Sequence, residues 1–258
     1  MEQPKALYEM AMPGVHAAAR GLIEGLPRGT LVDLGAGNGA LSLWAHKQGF
    51  RTIAVDANAG NFAAHDVEFV EADLNRQLPV ADGSCDVAVS LEVIEHLENA
   101  YALVREMARV VKPGGYAILS TPNESNLHSR LSYFLTGFFA DSSYVMRVPG
   151  PGDHYYPHVN CLPVPTLEYC WRRAGFQLVE FRASRLRVGA CLLYPFMNLV
   201  QRLCYWTRPR KKKHADAATT DRVYQLMNDP RVQCGRILVF LLQKPAIEAA
   251  ALPQRRAA

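Results

Sequence analysis

The chain has 258 residues, with 28 basic and 24 acidic side chains and a formal net charge of +4. Apolar residues make up 49% and charged residues 20%, which excludes a disordered or fibrous chain and supplies the core of one large domain, or one domain with insertions. The six cysteines form no C-x-x-C pair and show no zinc-like spacing, which argues against a disulfide framework or a structural zinc site. The first ten residues lack the charged-then-apolar build of a secretory signal, so a cytoplasmic location is expected. Charge is concentrated in one place: without Arg208, Arg210, Lys211, Lys212 and Lys213 the formal charge falls from +4 to −1. One basic knot on a near-neutral chain argues against a broad nucleic-acid-binding face and for a local anionic contact.

In chain order, residues 1–27 read as helical and end at Pro27. Short apolar runs then alternate with helical stretches. Strands are expected at Thr30–Leu34, Thr52–Val55, Val67–Val70, Asp86–Ser90 and Tyr116–Ser120, and helices at Ala40–Gln48 and Asn99–Val111. This rhythm indicates an α/β fold, a parallel sheet with helices on both faces. Residues 121–165 are rich in Pro, Gly, Ser, His and Tyr and suit a long loop carrying one helix, Leu127–Leu135. A helix at Thr166–Ala174 and a strand at Phe176–Phe181 follow. Residues 186–207 are strongly apolar, yet Pro195, Asn198, Gln201 and Arg202 interrupt them. They fit an amphipathic or interfacial hairpin better than a membrane span. Arg236–Leu242 reads as a last strand, and the tail from Lys244 as frayed.

The strongest signal is Val32-Asp33-Leu34-Gly35-Ala36-Gly37-Asn38-Gly39, running from strand to helix. Glycines there let the backbone approach a ligand, and a helix N-terminus presents unpaired N–H groups. Gly35-x-Gly37-x-x-Ala40 also satisfies a dinucleotide fingerprint, so the loop by itself does not choose between nucleosides. The acids around it do. Asp33 sits inside a strand end, where a charge needs a polar or cationic partner. Asp56 ends the second strand, placed to accept from both ribose hydroxyls, and Asp73 closes the third, placed to accept from an adenine amine with Leu74 against the ring. Three carboxylates at successive strand ends suit a cationic adenosine-bearing ligand and repel a pyrophosphate.

In order, DLGAGNG, the second-strand Asp56, ADL, SLEVIEHL, VVKPGG and TPN resemble the class I S-adenosylmethionine-dependent methyltransferases over about residues 28–125. The resemblance implies a Rossmann-like seven-stranded sheet with its last strand antiparallel, and S-adenosylmethionine lying across the strand carboxyl ends. It also implies that Asp33, Gly35, Ala36, Gly37 and Asn38 line the methionine part. Asp56 with Ala57 would hold the ribose, Asp73 and Leu74 the adenine, and Leu91 the far side. On this reading the chain divides into an N-terminal helical segment (1–27), a cofactor-binding core (28–125, continued at 166–185 and by the last strand at 233–244), a substrate lid (126–165), an apolar and basic helical insert (186–232) and a tail (245–258).

Leu91-Glu92-Val93-Ile94-Glu95-His96 follows the fourth strand. On a helix, Glu92, Glu95 and His96 would share one face and form half of an octahedral Mg²⁺ or Mn²⁺ site, with His154 or His158 as a further ligand. The pattern resembles the E-x-x-E-H site of small-RNA 2′-O-methyltransferases and the E-x-x-E-H of ubiquinone-biosynthesis O-methyltransferases. Without a metal, His96 becomes a general base, and His154 a second catalytic histidine. Residues 121–137 resemble bacterial methyltransferases associated with cell-surface polysaccharide synthesis. The resemblance thus implies O-methylation of a sugar hydroxyl on a small-molecule or lipid-linked glycan. The alternatives are a polyprenylated catechol of quinone synthesis or a non-catalytic cofactor-binding regulatory partner. An RNA acceptor ranks lower, since no extended basic track is present. Tyr194, Phe196, Tyr205, Trp206 and the basic knot suit an anionic membrane surface met through residues 188–213, which would make the protein peripheral on the cytoplasmic membrane. The oligomeric state stays open.

Overall fold

The computed structural model describes residues 7–140, 157–207 and 217–246. A seven-stranded sheet is built from β1 (Thr30–Leu34), β2 (Arg51–Asp56), β3 (Glu68–Glu71), β4 (Cys85–Leu91), β5 (Val111–Pro122), β6 (Gln177–Ala183) and β7 (Ile237–Gln243). Its order is β3-β2-β1-β4-β5-β7-β6. β1 to β5 pair in parallel, and β7 runs antiparallel to both β5 and β6. The seven-stranded sheet with an antiparallel last strand is therefore present as expected.

Period-two alternation along the strands feeds two apolar layers. In β7, Ile237, Val239 and Leu241 face the layer holding α1 (Val15–Ile23) and α2 (Ala40–Lys47), whose Leu22, Ile23, Leu41 and Ala45 are buried there. The intervening Leu238, Phe240 and Leu242 face the opposite layer, with α3 (Ala100–Val110) and α5 (Val164–Arg173). Trp171 of α5 packs there on Phe240, ring centroids 5.0 Å apart. Burying such a side chain on both sides of one sheet is what fixes the strand register.

Two sequence expectations are corrected. The N-terminal segment is not helical throughout: α1 starts only at Val15, because Pro13 and Gly14, left-handed at φ 92°, break the chain there. Residues 188–207 are not a hairpin but one 20-residue helix, α6 (Val188–Thr207), which carries Pro195 within it. A second helix, α7 (Ala217–Asn228), follows, and a short α8 (Pro230–Cys234) leads into β7. No described helix is long and apolar enough to cross a membrane.

The insert is hung on the carboxyl-end edge of the sheet. β6 ends at Ala183 and β7 begins at Ile237, and Ile237 pairs with Pro122 at the end of β5. Asn123 makes the fastening: its Nδ2 donates to the carbonyls of Val232 (2.7 Å) and Gly235 (2.8 Å), fully buried. One side chain thus serves two buried acceptors at the α8–β7 junction, which explains the asparagine of the TPN run. Asn126 beside it caps α4 (Leu127–Thr136) by accepting from the N–H of Ser129.

Asn123→Ala should leave both carbonyls unsatisfied and cost about 2 kcal/mol or more of unfolding free energy. Urea denaturation measures the loss, and hydrogen exchange should show faster amides at residues 230–236 than in β1.

Candidate cofactor and catalytic site

The glycine loop turns directly off β1. Gly35, Gly37 and Gly39 all have positive φ (82°, 56° and 87°), a conformation L side chains resist. Two of them are also hemmed in. A Cβ on Gly35 would lie 2.3 Å from a Val93 methyl, and one on Gly39 would lie 2.6 Å from both Ala64 and Phe62. The loop is held from β2 as well: Gly35 N–H donates to Val55 O (2.8 Å), and Gly37 N–H donates to Asp56 Oδ2 (2.8 Å).

A small cavity of about 40 Å³ opens on this loop, lined among others by Asp33, Gly35, Ala36, Gly37, Asn38 and Leu91. Six of the ten residues expected at the cofactor are thus together. Asp33 is buried, with the Ser42 hydroxyl donating to it at 2.6 Å. Burial pushes its carboxyl up from 3.8 to about 6, with the Ser42 bond opposing and the nearby Asp56 charge adding to the rise. Asn38 is buried beside it, and its Nδ2 has no hydrogen-bond partner. A carboxylate that gains from a cation and an amide donor that lacks an acceptor are the two ends of an amino acid, so the methionine part of S-adenosylmethionine fits this donor set.

The remaining four lie outside the cavity. Asp56 borders it through its bond to Gly37 and also accepts from Asn58 N–H (2.9 Å), and Ala57 is exposed beside it. Asp73 accepts from Asn75 and pairs with Arg76 (3.3 Å). The Asn75 N–H holds its carboxyl below the usual carboxylate range. Leu74 is buried in the core.

The N-terminal segment contributes what the sequence reading passed over. Met10, Ala11 and His16 line the same cavity, with the Met10 sulfur above Gly37. The segment is tied down by Met12 N–H donating to the Glu92 carboxylate. The Pro13-Gly14 break was the signal that this stretch leaves the helix.

The E-x-x-E-H run does not start a helix. Glu92 is left-handed (φ 52°), the one such non-glycine residue among those described, and Ile94–His96 form a single 3₁₀ turn. The side chains therefore diverge: Glu92 turns to the N-terminal segment, while Glu95 and His96 face residue 158. Glu95, His96 and His158 each offer a ligand atom, all within 4.8 Å of one another, and the imidazoles of His96 and His158 meet edge to face at 4.8 Å. Backbone contacts hold the group together: Asn160 N–H donates to Glu95 O (2.9 Å), and His96 Nδ1 lies 3.2 Å from Pro157 O. Glu95 is fully buried, with its own backbone N–H and the Thr121 hydroxyl as the donors nearest its carboxylate. Burial pushes its carboxyl up to about 8; the Glu92 charge adds to the rise, and Thr121 nearby offsets part of it. A buried carboxylate beside two imidazoles fits a divalent cation. His154 lies outside the described residues, as do Arg208, Arg210 and Lys211–Lys213.

A larger depression, about 860 Å³, lies between α5, β6 and α7. It is remote from the glycine loop, and its buried acid Glu168 is already paired with Arg222 (3.0 Å) and Arg172 (3.5 Å).

Because Asp33 titrates above its ordinary 3.8, the free protein loses stability as pH rises through about 6, and a bound cation recovers it. Affinity for S-adenosylmethionine should therefore be full above pH 7 and fall about tenfold per unit below about 6. Calorimetric titration from pH 5 to 8 checks this, and Asp33→Asn should flatten the profile at the weak level.

Comparison with known proteins agrees with this geometry. Residues 11–181 match a family described as a methyltransferase domain. A ubiquinone biosynthesis O-methyltransferase of Caulobacter vibrioides is 33% identical over 146 residues, 53% of this chain and 54% of that protein. An uncharacterized methyltransferase of a Mycobacterium species (strain JLS) is 37% identical over 96 residues, 35% of this chain and 38% of its own length. The chain thus spans about half or less of these curated relatives. In fold, a SAM-dependent methyltransferase from Archaeoglobus fulgidus superposes with a TM-score of 0.55 at 17% identity, covering 89% of this chain and 93% of that one. With the sheet order, the glycine loop and two thirds of the sequence in agreement, the chain belongs to the methyltransferase domain family, and S-adenosylmethionine is the cofactor its site fits.

Proposed function

We propose that the protein transfers the methyl group of S-adenosylmethionine to a hydroxyl oxygen, with His96 as the proton acceptor. The observation that carries this reading is the packing of Val93 on Gly35. It sets the E-x-x-E-H run, which bears His96, against the glycine loop. The cofactor supplies a methyl group on a cationic sulfur, which leaves as a neutral thioether. The acceptor oxygen attacks in line, its lone pair forming the new C–O bond as the S–C pair returns to sulfur. His96 Nδ1 faces the Pro157 carbonyl, so its proton belongs there and Nε2 is the basic nitrogen that takes the hydroxyl proton. The same cluster supports a second reading: with a divalent cation held by Glu95, His96 and His158, and His154 as a further ligand, His96 Nε2 would be a ligand and not the base, and the cation would lower the pKa of the acceptor hydroxyl.

For the acceptor, the relatives favour a catechol-type hydroxyl on a polyprenylated ring. Three of them, 33%, 31% and 28% identical, are ubiquinone biosynthesis O-methyltransferases. The glycan acceptor rests on the sequence likeness of residues 121–137. A polyprenylated catechol and a lipid-linked glycan both carry the hydroxyl on a lipid, and either acceptor, like a small-molecule glycan, requires the same proton acceptor.

His96→Asn should lower methyl transfer from labelled S-adenosylmethionine to a prenylated catechol by about 10²-fold or more, with cofactor affinity unchanged. On the cation reading, metal-stripped wild type should lose activity and regain it with Mg²⁺ or Mn²⁺; with His96 as the base, stripping should leave activity unchanged. Full activity in His96→Asn would remove the histidine from the reaction, and full activity after stripping would remove the cation.

A further inference from the structure

α6 has two apolar faces, and the fold uses one of them. Its inner face packs through Ala190, Cys191, Tyr194 and Met197 against Leu127 of α4 and Cys234 of α8. Its outer face carries Val188, Leu192, Phe196, Leu199, Leu203 and Trp206, spaced by 4, 4, 3, 4 and 3 residues, which is one helical stripe. All six are exposed, from 53% at Leu203 to 84% at Trp206. On α4 alongside, Phe134 and Leu135 are 83% and 69% exposed. Exposed apolar side chains in this number on two packed helices call for a partner.

Charge says which. Neither α4 nor α6 contains an aspartate or glutamate; their charged residues are Arg130 and Arg202. Arg185 and Arg187 precede α6, and the sequence passes from Thr207 directly into Arg208, Arg210 and Lys211–Lys213. The stripe is apolar along its length and basic at both ends. A second copy of the chain fits it poorly. Flanking the stripe are Leu193, Pro195, Val200 and Arg202, which offer no pairs of opposite charge. Parallel or antiparallel, two copies would set basic ends against basic ends. An anionic bilayer answers both features, since acyl chains take the stripe and headgroups take Arg130, Arg185 and Arg202. At 20 residues, about 30 Å long, and without the hydropathy of a membrane span, the helix suits lying flat.

We propose that the outer face of α6, with the exposed end of α4, docks on an anionic lipid surface. The insert that bears it springs from the carboxyl-end edge of the sheet, the edge that carries the glycine loop, so docking brings the catalytic side to the bilayer. That the acceptor hydroxyl is drawn from the bilayer rests on the function proposed above; the docking itself rests on exposure and charge.

The test is co-sedimentation of the full chain with phosphatidylcholine vesicles, with and without phosphatidylglycerol. Binding should require phosphatidylglycerol and weaken with salt. The double variant Leu192→Glu, Phe196→Glu alters two exposed side chains, so it should keep its Tm and its S-adenosylmethionine affinity while losing at least about tenfold in vesicle binding. A triple Lys211→Gln, Lys212→Gln, Lys213→Gln variant should lose most of the phosphatidylglycerol dependence. Wild type that ignores phosphatidylglycerol vesicles overturns the proposal, as does a double variant that binds them unchanged. Light scattering that shows a dimer dissolved by the double variant, with no vesicle binding, assigns the face to a second copy instead. Calorimetric titration with S-adenosylmethionine on the same preparations reports separately on the methyltransferase reading.

Discussion

The buried carboxylate of Asp33 is the constraint around which the site is arranged. A carboxylate sealed into the end of a parallel strand, with a single hydroxyl donating to it, is held in a state that a cation relieves. Keeping it there requires the next residues to turn sharply out of β1, which sets the left-handed glycines. Those glycines leave no room for a Cβ because Val93, Phe62 and Ala64 press against the loop. The same pressure gives the loop its shape and couples it to β4, so that the cofactor cavity and the E-x-x-E-H run are one construction rather than two neighbouring features.

The second buried acid extends the logic. Glu95 is sealed in the interior, and burial pushes its carboxyl up to about 8. Residues 157–160 are pinned to this turn through Pro157 and Asn160, beside the residues proposed to bind the acceptor's proton or a metal. Glu92 works in the opposite direction: its left-handed backbone aims its carboxylate at Met12 N–H and draws the N-terminal segment over the glycine loop. A strained acid in this place is spent on closing the cofactor cavity.

The sequence was most legible where chemistry is local. The strand–glycine–helix run, the acids at strand ends and the alternating strands could be read because each depends on residues within a few positions of one another. The fold class and Asp33, Gly35, Ala36, Gly37, Asn38 and Leu91 follow from them. The geometry of E-x-x-E-H was not local. Whether Glu92 joined Glu95 depended on a left-handed φ set by packing on β5, where Glu92 N–H bonds Ser120, and periodicity carries no trace of that. The alanine run reads as helix, yet Pro13-Gly14 just before it keeps the preceding described residues out of α1. Pro195 and the polar residues of α6 read as a break in sequence, yet the helix continues through them. Asn198 in fact reaches Tyr194 and Asn228 on the packed face, so these polar residues fasten the helix to α7.

Ligand choice is what the buried polar groups of the loop decide. The glycine loop alone admits a dinucleotide, and the buried acid and the orphaned amide are what select a cationic amino-acid nucleoside. Calorimetric titration of the wild-type chain at neutral pH with S-adenosylmethionine and, separately, with NAD is the most direct measurement. One S-adenosylmethionine should bind per chain with micromolar affinity, with no heat from NAD. Binding of NAD at equal or greater affinity would contradict the role assigned to Asp33 and Asn38, and with it the whole reading of the site.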